Sequence, residues 1–230
     1  MMKITFILYK PAVAGNIGAC ARAMKNMGFT DLRLISPAKH LSDEALMMAH
    51  ASHDILQNSK VFASLDEAIA DIDFLVSTTA KDKSGKVDYI SSRQLKSFLE
   101  NKEGIVSHAG ILFGSEESGL PNEILLKSNI GVHIPMVLAY PSLNLAQALM
   151  IIAYELSEKG EEGEDTEGEE QGESSWKELQ QRAEYLLIES GIPAASPLYH
   201  RILERMSFLK ASDARLAHSI TAKLLDIVKK

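Results

Sequence analysis

The chain has 230 residues, of which 46% are hydrophobic and 24% are charged, with a formal net charge of −7 at neutral pH. This length suits one well-buried α/β core and a small accessory unit, and no apolar run is long enough for a membrane-spanning helix. One cysteine, Cys20, excludes an intramolecular disulfide, and the amino terminus runs directly into a strand pattern. We therefore expect a cytoplasmic protein with Cys20 in its core. The histidines have no cysteine or carboxylate companions at ligand spacing, so no metal is expected.

Apolar stretches alternate with helical patterns over the first two-thirds of the chain, which predicts an α/β fold with a parallel sheet flanked by helices. In chain order, strands are predicted at 3–9, 32–35, 73–79, 110–113 and 130–134, and helices at 19–27, 45–50, 66–70 and 93–99. A last helix, at 143–156, carries apolar residues all the way round. A solvent-facing helix has only one apolar face, so we expect this helix to be buried by the core and by a second subunit.

The net negative charge comes from one segment. Residues 158–175 contain nine acidic residues, one lysine and no apolar residue, so this segment is predicted to be a flexible acidic linker. The following residues, 176–230, carry nine basic and six acidic residues and the pattern of three amphipathic helices. On the third of these helices the apolar face consists of Leu216, Ile220, Leu224 and Ile227. The predicted organisation is an α/β domain at 1–157, a linker at 158–175 and a compact helical extension at 176–230.

Three polar segments each lie between a predicted strand and a predicted helix. They are the Gly/Asn loop at 14–18, the Gly/Glu loop at 113–120 and the Ser-Leu-Asn loop at 140–145. Loops at strand ends are where α/β sheets bind ligands, so the three loops predict one composite pocket. The first loop lacks the G-x-G-x-x-G spacing of dinucleotide sites.

Each loop carries candidate site residues, and each candidate has a simpler structural interpretation. Asn16 offers a donor and an acceptor, but its loop by itself could be an ordinary turn, and Arg22 could be a surface arginine. In the second loop, Glu117 is interpreted as a surface charge and Glu116 as the site residue. Ser142 is a candidate N-cap of the last helix.

The three motifs together resemble the SPOUT superfamily of RNA methyltransferases, in the TrmH-like branch that methylates ribose 2′-hydroxyls, and most closely its TrmJ-type tRNA methyltransferases. The resemblance covers about the first 157 residues and the general plan of the tail. It implies an α/β fold with a C-terminal trefoil knot, a homodimer, S-adenosyl-L-methionine as the cofactor and tRNA as the partner. It also implies methylation at position 32 of the anticodon loop, on cytidine, uridine or both.

The same resemblance implies roles for individual residues. The 2′-hydroxyl and its neighbouring phosphate would be surrounded by Arg22, Asn16, Glu116, Ser142 and Asn144. The cofactor would be held by Thr78, Thr79, Ala80, Gly114, Ile134, Pro141, Ser142 and Leu143. A guanidinium, with a pKa of roughly 12 or more, hardly ever releases a proton, so Arg22 is interpreted as a clamp on the 3′-phosphate that stabilises the developing alkoxide.

Two alternatives stay open at this point: ribose methylation of rRNA, and a catalytically silent RNA-binding module with the same fold. A Rossmann-type small-molecule methyltransferase is disfavoured. Its second strand would end in an acidic residue, whereas here residues 32–35 are followed by Ser36 and Pro37.

Overall fold

A computed structural model describes residues 2–79, 88–137, 143–157 and 175–228. The chain forms two compact units, one of residues 3–96 and 108–157 and the other mainly of residues 97–107 and 175–228. Within these described ranges, no helix is long and apolar enough to cross a membrane.

The first unit is built on a seven-stranded sheet whose neighbouring strands are all parallel. The strands are β1 (Lys3–Tyr9), β2 (Leu32–Ile35), β3 (Lys60–Phe62), β4 (Phe74–Thr79), β5 (Tyr89–Ser91), β6 (His108–Phe113) and β7 (Ile130–His133), in the spatial order β3-β2-β1-β6-β4-β7-β5. The predicted parallel sheet is confirmed. The two strands that the sequence pattern did not predict, β3 and β5, are the sheet edges, and each has only three residues.

Helices connect these strands. They are α1 (Ala14–Asn26), α2 (Asp43–Ala49), α3 (His53–Gln57), α4 (Leu65–Ala68), α5 (Ser92–Glu100), α6 (Asn122–Leu125) and α7 (Leu145–Leu156), with a 3-10 turn at His50–Ser52 between α2 and α3. The chain runs from β1 outward to β2 and β3 and then crosses to β4 on the other side of β6. The strand order therefore changes direction beside β1 and β6, where α/β sheets form ligand crevices.

The Gly/Asn segment at 14–18 is not a loop, and that prediction was wrong. It forms the first turns of α1, which begins at Ala14 rather than at residue 19. The physical reason is the packing of α1 on α2: a Cβ at Gly18 would lie 2.0 Å from the Ala45 carbonyl oxygen. Only glycine permits this approach, so close packing outweighs the low helix propensity of Gly18.

The core of this unit lies on both faces of the sheet. Phe6 on β1 is fully buried, and its ring stacks on that of Phe113 on β6 with centroids 6.1 Å apart. Cys20 on α1 is also fully buried, and burial raises the pKa of its thiol well above the ordinary range. The prediction of a core cysteine is confirmed.

The second unit contains α8 (Trp176–Glu189), α9 (Pro197–Met206) and α10 (Ala211–Val228), which confirms the three predicted helices. Residues 97–107 belong to the same unit, which the sequence pattern did not indicate. The Trp176 backbone N–H donates to the Ile105 carbonyl at 2.9 Å, and the buried Lys102 ammonium donates to the Leu209 carbonyl at 2.9 Å.

The apolar face predicted for α10 is not buried in the helical unit. The residues expected to pack inside the helical unit are exposed: Leu216 by 65%, Ile220 by 59%, Leu224 by 43% and Ile227 by 69%. The helix instead turns Ala214, which is fully buried, and His218 inward, where the His218 ring lies 3.1 Å from a carboxylate oxygen of Glu178 on α8. The inward side of α10 therefore carries Ala214 and His218, and the large apolar residues lie on the exposed side.

Candidate functional site

The candidate site lies at the carboxyl ends of four adjacent strands, β1, β6, β4 and β7. The chain leaves β1 at Tyr9 and enters α1 at Ala14, and it leaves β6 at Phe113 and forms the Gly/Glu loop. The segment after β7 leads to α7. Because parallel strands end at the same edge of a sheet, segments far apart in sequence meet here.

Three predicted site residues form one hydrogen-bonded chain. The Asn16 side-chain Nδ2 donates to Glu116 Oε1 at 2.8 Å. The Asn144 Nδ2 donates to Asn16 Oδ1 at 3.0 Å. The Ala146 backbone N–H donates to Asn144 Oδ1 at 2.9 Å. We call Glu116, Asn16 and Asn144 the amide relay.

The direction of the amide relay is fixed at both ends. Ionised Glu116 can only accept, so Asn16 must turn its NH₂ group toward the carboxylate. The Ala146 N–H can only donate, so Asn144 must turn its oxygen toward Ala146 and its NH₂ group toward Asn16. Both ends require the same amide orientations. Each amide uses one N–H within the relay, and its second N–H makes no hydrogen bond with the described residues and can donate to a ligand.

Glu116 also holds the entry of α1. Its Oε2 accepts the Ala12 backbone N–H at 2.9 Å, and its Oε1 accepts the Val13 N–H at 3.4 Å. Partial burial of the carboxylate favours its neutral form, but the hydrogen bonds from Ala12, Asn16 and Val13 outweigh burial and lower the pKa of Glu116 below its ordinary value. Glu116 is therefore ionised at neutral pH and poorly suited to accept a proton.

The start of α7 differs from the sequence prediction. Its N-cap is Asn144, not Ser142, and the helix begins at Leu145 rather than at residue 143. Gln147 completes a capping box by accepting the Asn144 backbone N–H at 3.1 Å. Asn144 thus caps α7 with its side-chain oxygen, while its side-chain nitrogen bonds Asn16. The capping role that the sequence predicted for Ser142 is performed by Asn144.

A cavity of about 360 Å³ is lined by Glu116, the carboxylate end of the amide relay, whereas Asn16 and Asn144 are not among the residues that line it. This volume falls at the small end of the range typical of cofactor pockets, about 300–1,000 Å³. Six predicted site residues line it: Thr78, Thr79, Gly114, Glu116, Ile134 and Leu143. Ala80, Pro141 and Ser142 lie outside the described residues.

The Gly/Glu loop forms one wall of this cavity as a tight turn. The Gly119 N–H donates to the Ser115 carbonyl at 2.9 Å, and Gly119 has a φ of +65°, in the left-handed region. A Cβ at Gly114 would lie 2.3 Å from the Gly119 carbonyl carbon. The loop can close only because Gly114 has no side chain, and its backbone groups face the cavity as a result.

Arg22 is not brought into this group within one chain. It is exposed on α1, six residues after Asn16, and six residues of helix correspond to about 9 Å along the axis and about 120° around it. It lies on the same face as Lys25, which donates to the Ala51 carbonyl at 2.9 Å, and it is not among the residues that line the cavity.

Sequence reasoning missed two features of the site. Glu117 is exposed, as interpreted, yet it lines the cavity. The backbone N–H groups of Ala12 and Val13 bind Glu116, and no sequence pattern marks a backbone donor. The one available signal for Glu117 was its position inside a glycine-bounded turn.

Comparisons with known proteins identify the family of the chain. Residues 3–154 match the model of the SpoU rRNA Methylase family, and residues 173–228 match that of the tRNA/rRNA methyltransferase LasT C-terminal domain. An Escherichia coli protein described as an uncharacterized tRNA/rRNA methyltransferase LasT is 39% identical over 222 residues, which cover 95% of this chain and 96% of the relative.

Two further relatives are named after a specific activity. The tRNA (cytidine-2′-O-)-methyltransferase TrmJ of Methanocaldococcus jannaschii is 36% identical over 162 residues, covering 69% of each chain. The crystal structure of TrmJ from Z. mobilis ZM4 superimposes with a TM-score of 0.65 at 28% identity, covering 96% of this chain and 98% of that chain.

Proposed function

The chain belongs to the SpoU rRNA methylase family and is an RNA methyltransferase, and from this premise we propose that it methylates ribose 2′-hydroxyls of tRNA with S-adenosyl-L-methionine as cofactor. The amide relay carries this proposal. It sets two amide donors, oriented by Glu116 at one end and by the α7 terminus at the other, beside a cavity of cofactor size. Preorganised donors of this kind stabilise charge that develops during a reaction.

The negative charge of the cavity lining suits the positive charge of this cofactor. Among the described residues that line it, the ionisable side chains are both acidic, Glu116 and Glu117, and none is basic. Phosphate-bearing cofactors are usually held by basic groups, whereas S-adenosylmethionine is a cation. The residues proposed to hold it are Thr78, Thr79, Ala80, Gly114, Ile134, Pro141, Ser142 and Leu143. The cofactor supplies an electrophilic methyl group when bound.

The second N–H groups of Asn16 and Asn144 are proposed to face the ribose and its phosphate. Glu116, with a lowered pKa and donors on both oxygens, orients Asn16 and does not act as the base. Arg22 and Ser142 complete the catalytic set. Arg22 clamps the 3′-phosphate and stabilises the alkoxide as it forms.

A homodimer brings Arg22 to the site. Arg22 lies on a different face of α1 from Asn16, so the arginine of one subunit completes the site of the other in this proposal. The partly exposed apolar side of α7, with Ile151 and a Tyr154 that is 65% exposed, supports a subunit contact there. The C-terminal trefoil knot and a cytoplasmic location are part of the same proposal and follow from the family.

The helical unit is proposed to bind the body of the tRNA. The exposed cations proposed for this contact are Arg201, Arg205, Lys210, Arg215 and Lys223. Arg182 is only 22% exposed and pairs with Glu178, so it is not among these candidates. Phosphate contacts supply much of RNA affinity, so these exposed cations are the candidates, and Lys210, Arg215 and Lys223 are the three chosen for the test below.

The target within tRNA is proposed to be position 32 of the anticodon loop. The test is to incubate the protein with isotopically labelled S-adenosylmethionine and either bulk tRNA or ribosomal RNA, and to map the labelled nucleotide. Label on the 2′-oxygen at position 32 supports the proposal. Label in ribosomal RNA alone would favour the rRNA alternative, and no label in either RNA, with cofactor bound, would favour a silent RNA-binding module.

A further inference from the structure

The two glutamates of the cavity wall are in different states. Glu116 accepts hydrogen bonds from Asn16, Ala12 and Val13 and belongs to the amide relay. Glu117, the next residue, is exposed and lines the cavity. Its carboxylate makes no hydrogen bond or ion pair with the described part of the chain. The charge of Glu117 is therefore available to a ligand.

None of the described residues of the wall has a positive side chain that could balance this charge. The other described lining residues are apolar residues, glycines, serines and threonines, together with Glu116. A negative potential in a partly enclosed cavity attracts cations and is neutral toward uncharged ligands of the same shape. Near Glu117 the wall is therefore expected to favour a positively charged ligand over an uncharged ligand of the same shape.

We propose that Glu117 is a specificity-determining residue that makes the cavity prefer S-adenosylmethionine over its product S-adenosylhomocysteine. This inference rests on the proposed function. In the transfer, the bond between sulfur and the methyl carbon breaks, its electron pair stays on sulfur, and the methyl carbon bonds to the ribose oxygen, whose proton ends in solvent. The sulfur thereby loses its positive charge, the product is left with no net charge, and the attraction of Glu117 for the sulfonium is lost.

The size of the effect follows from the exposure of Glu117. Water screens an exposed charge, and exposed ion pairs contribute up to about 1 kcal/mol, which corresponds to an affinity ratio of about twofold to fivefold. Such a ratio is enough to help product release without weakening the binding of the shared adenosine portion. The carboxylate acts on the charge of the ligand and not on its shape.

The experiment measures the affinity of the full chain for three ligands by isothermal titration. The ligands are S-adenosylmethionine, S-adenosylhomocysteine and sinefungin, an analogue that carries a protonated amine in place of the sulfonium. The variants are Glu117→Gln, Glu117→Lys and, as a matched control, Glu123→Gln, which makes the same chemical change at an exposed glutamate outside the cavity wall.

In Glu117→Gln we expect the two cationic ligands to bind about twofold to fivefold more weakly and S-adenosylhomocysteine to bind as before. Glu117→Lys should shift the preference further toward the neutral ligand, and Glu123→Gln should change nothing. Equal weakening of all three ligands, or an unchanged preference in both Glu117 variants, would overturn the inference. If the unmodified protein bound neither cofactor nor product, the proposed function itself would fail, which is a distinguishable result.

Discussion

Asn16 and Asn144 are 128 positions apart in the sequence, and the Asn144 side-chain nitrogen lies 3.0 Å from the Asn16 side-chain oxygen. This bond ties the first helix of the sheet unit to the last one. It also leaves one N–H on each amide for a ligand, because the relay uses the other. The variants below separate the structural part of this arrangement from its proposed chemical part.

Replacing Asn144 by Asp should remove activity and keep the helix. Aspartate is as good an N-cap as asparagine, so its oxygen can still accept the Ala146 N–H, but it has no N–H for Asn16 or a ligand. We expect methyl transfer to fall about a hundredfold or more, with thermal unfolding little changed. Asn144→Ala, by contrast, should also cost about 0.5–2 kcal/mol of stability through loss of the cap. Equal activity of Asn144→Asp and the unmodified protein would contradict the role of the amide N–H.

Replacing Glu116 by Gln should change the pH dependence of stability. The pKa of Glu116 is lowered in the folded chain, so its ionised form stabilises the fold at pH values above the ordinary glutamate pKa of about 4.3. That contribution is lost as the pH falls through the lowered pKa. The free energy of unfolding of the unmodified protein minus that of the variant should therefore be constant near neutrality and shrink below about pH 4. A difference that stayed constant into acid would argue against the ionised contact.

Replacing Arg22 by Ala should abolish methyl transfer and leave cofactor affinity nearly intact. Arg22 is absent from the residues lining the cavity, and losing an electrostatic contact to the transition state costs about a hundredfold or more in rate. Titration calorimetry checks cofactor binding, and Lys25→Met, one helical turn away on the same face, is the matched control. If cofactor binding were lost together with activity, the proposal that Arg22 contacts the RNA and not the cofactor would be wrong.

The same variant tests whether Arg22 acts across a dimer. Mixing Arg22→Ala with Asn144→Asp subunits should restore activity at one of the two sites of each mixed dimer. That site takes Asn144 from the Arg22→Ala subunit and Arg22 from the Asn144→Asp subunit, so both residues are present in it. Two inactive variants that stay inactive when mixed, with subunit exchange verified by mass spectrometry, would place Arg22 in the site of its own chain.

Replacing Gly114 by Ala should weaken cofactor binding. The added Cβ would meet the Gly119 carbonyl carbon at 2.3 Å, so the Gly/Glu loop must open and the cavity wall must move. Gly28→Ala is the control: Gly28 has a φ of +81° with open space around it, so the change strains the backbone away from the cavity. We expect S-adenosylmethionine to bind Gly28→Ala normally and Gly114→Ala at least tenfold more weakly, as a Cβ in the wall fills or displaces the site.

Neutralising Lys210, Arg215 and Lys223 together should weaken tRNA binding and flatten its salt dependence. Each phosphate contact contributes roughly 0.7–0.9 to the slope of log affinity against log salt concentration, so three lost contacts should lower the slope by about 2. Gel-shift titrations at several salt concentrations measure both quantities. Unchanged affinity and slope would indicate that the helical unit serves stability alone.

The sequence by itself determined the elements that a local pattern encodes. Buried apolar runs at β1, β4, β6 and β7 predicted a parallel sheet because strands covered on both faces are apolar throughout. Cys20 among small residues predicted a core position, and the three polar segments beyond strands predicted the composition of the site. These features depend on residues that are close together in the sequence, so a sequence pattern is enough to predict them.

The tertiary structure decided which distant groups meet. Gly18 can lie against the Ala45 carbonyl oxygen because it has no side chain. Asn144, and not Ser142, is the N-cap of α7, and its side-chain nitrogen also bonds Asn16. The apolar residues of α10 face outward, and the side of α10 that carries the His218 contact with Glu178 of α8 faces inward. Each choice turns on contacts between segments far apart in the chain, whose free energies exceed the small differences in local propensity that a sequence pattern records.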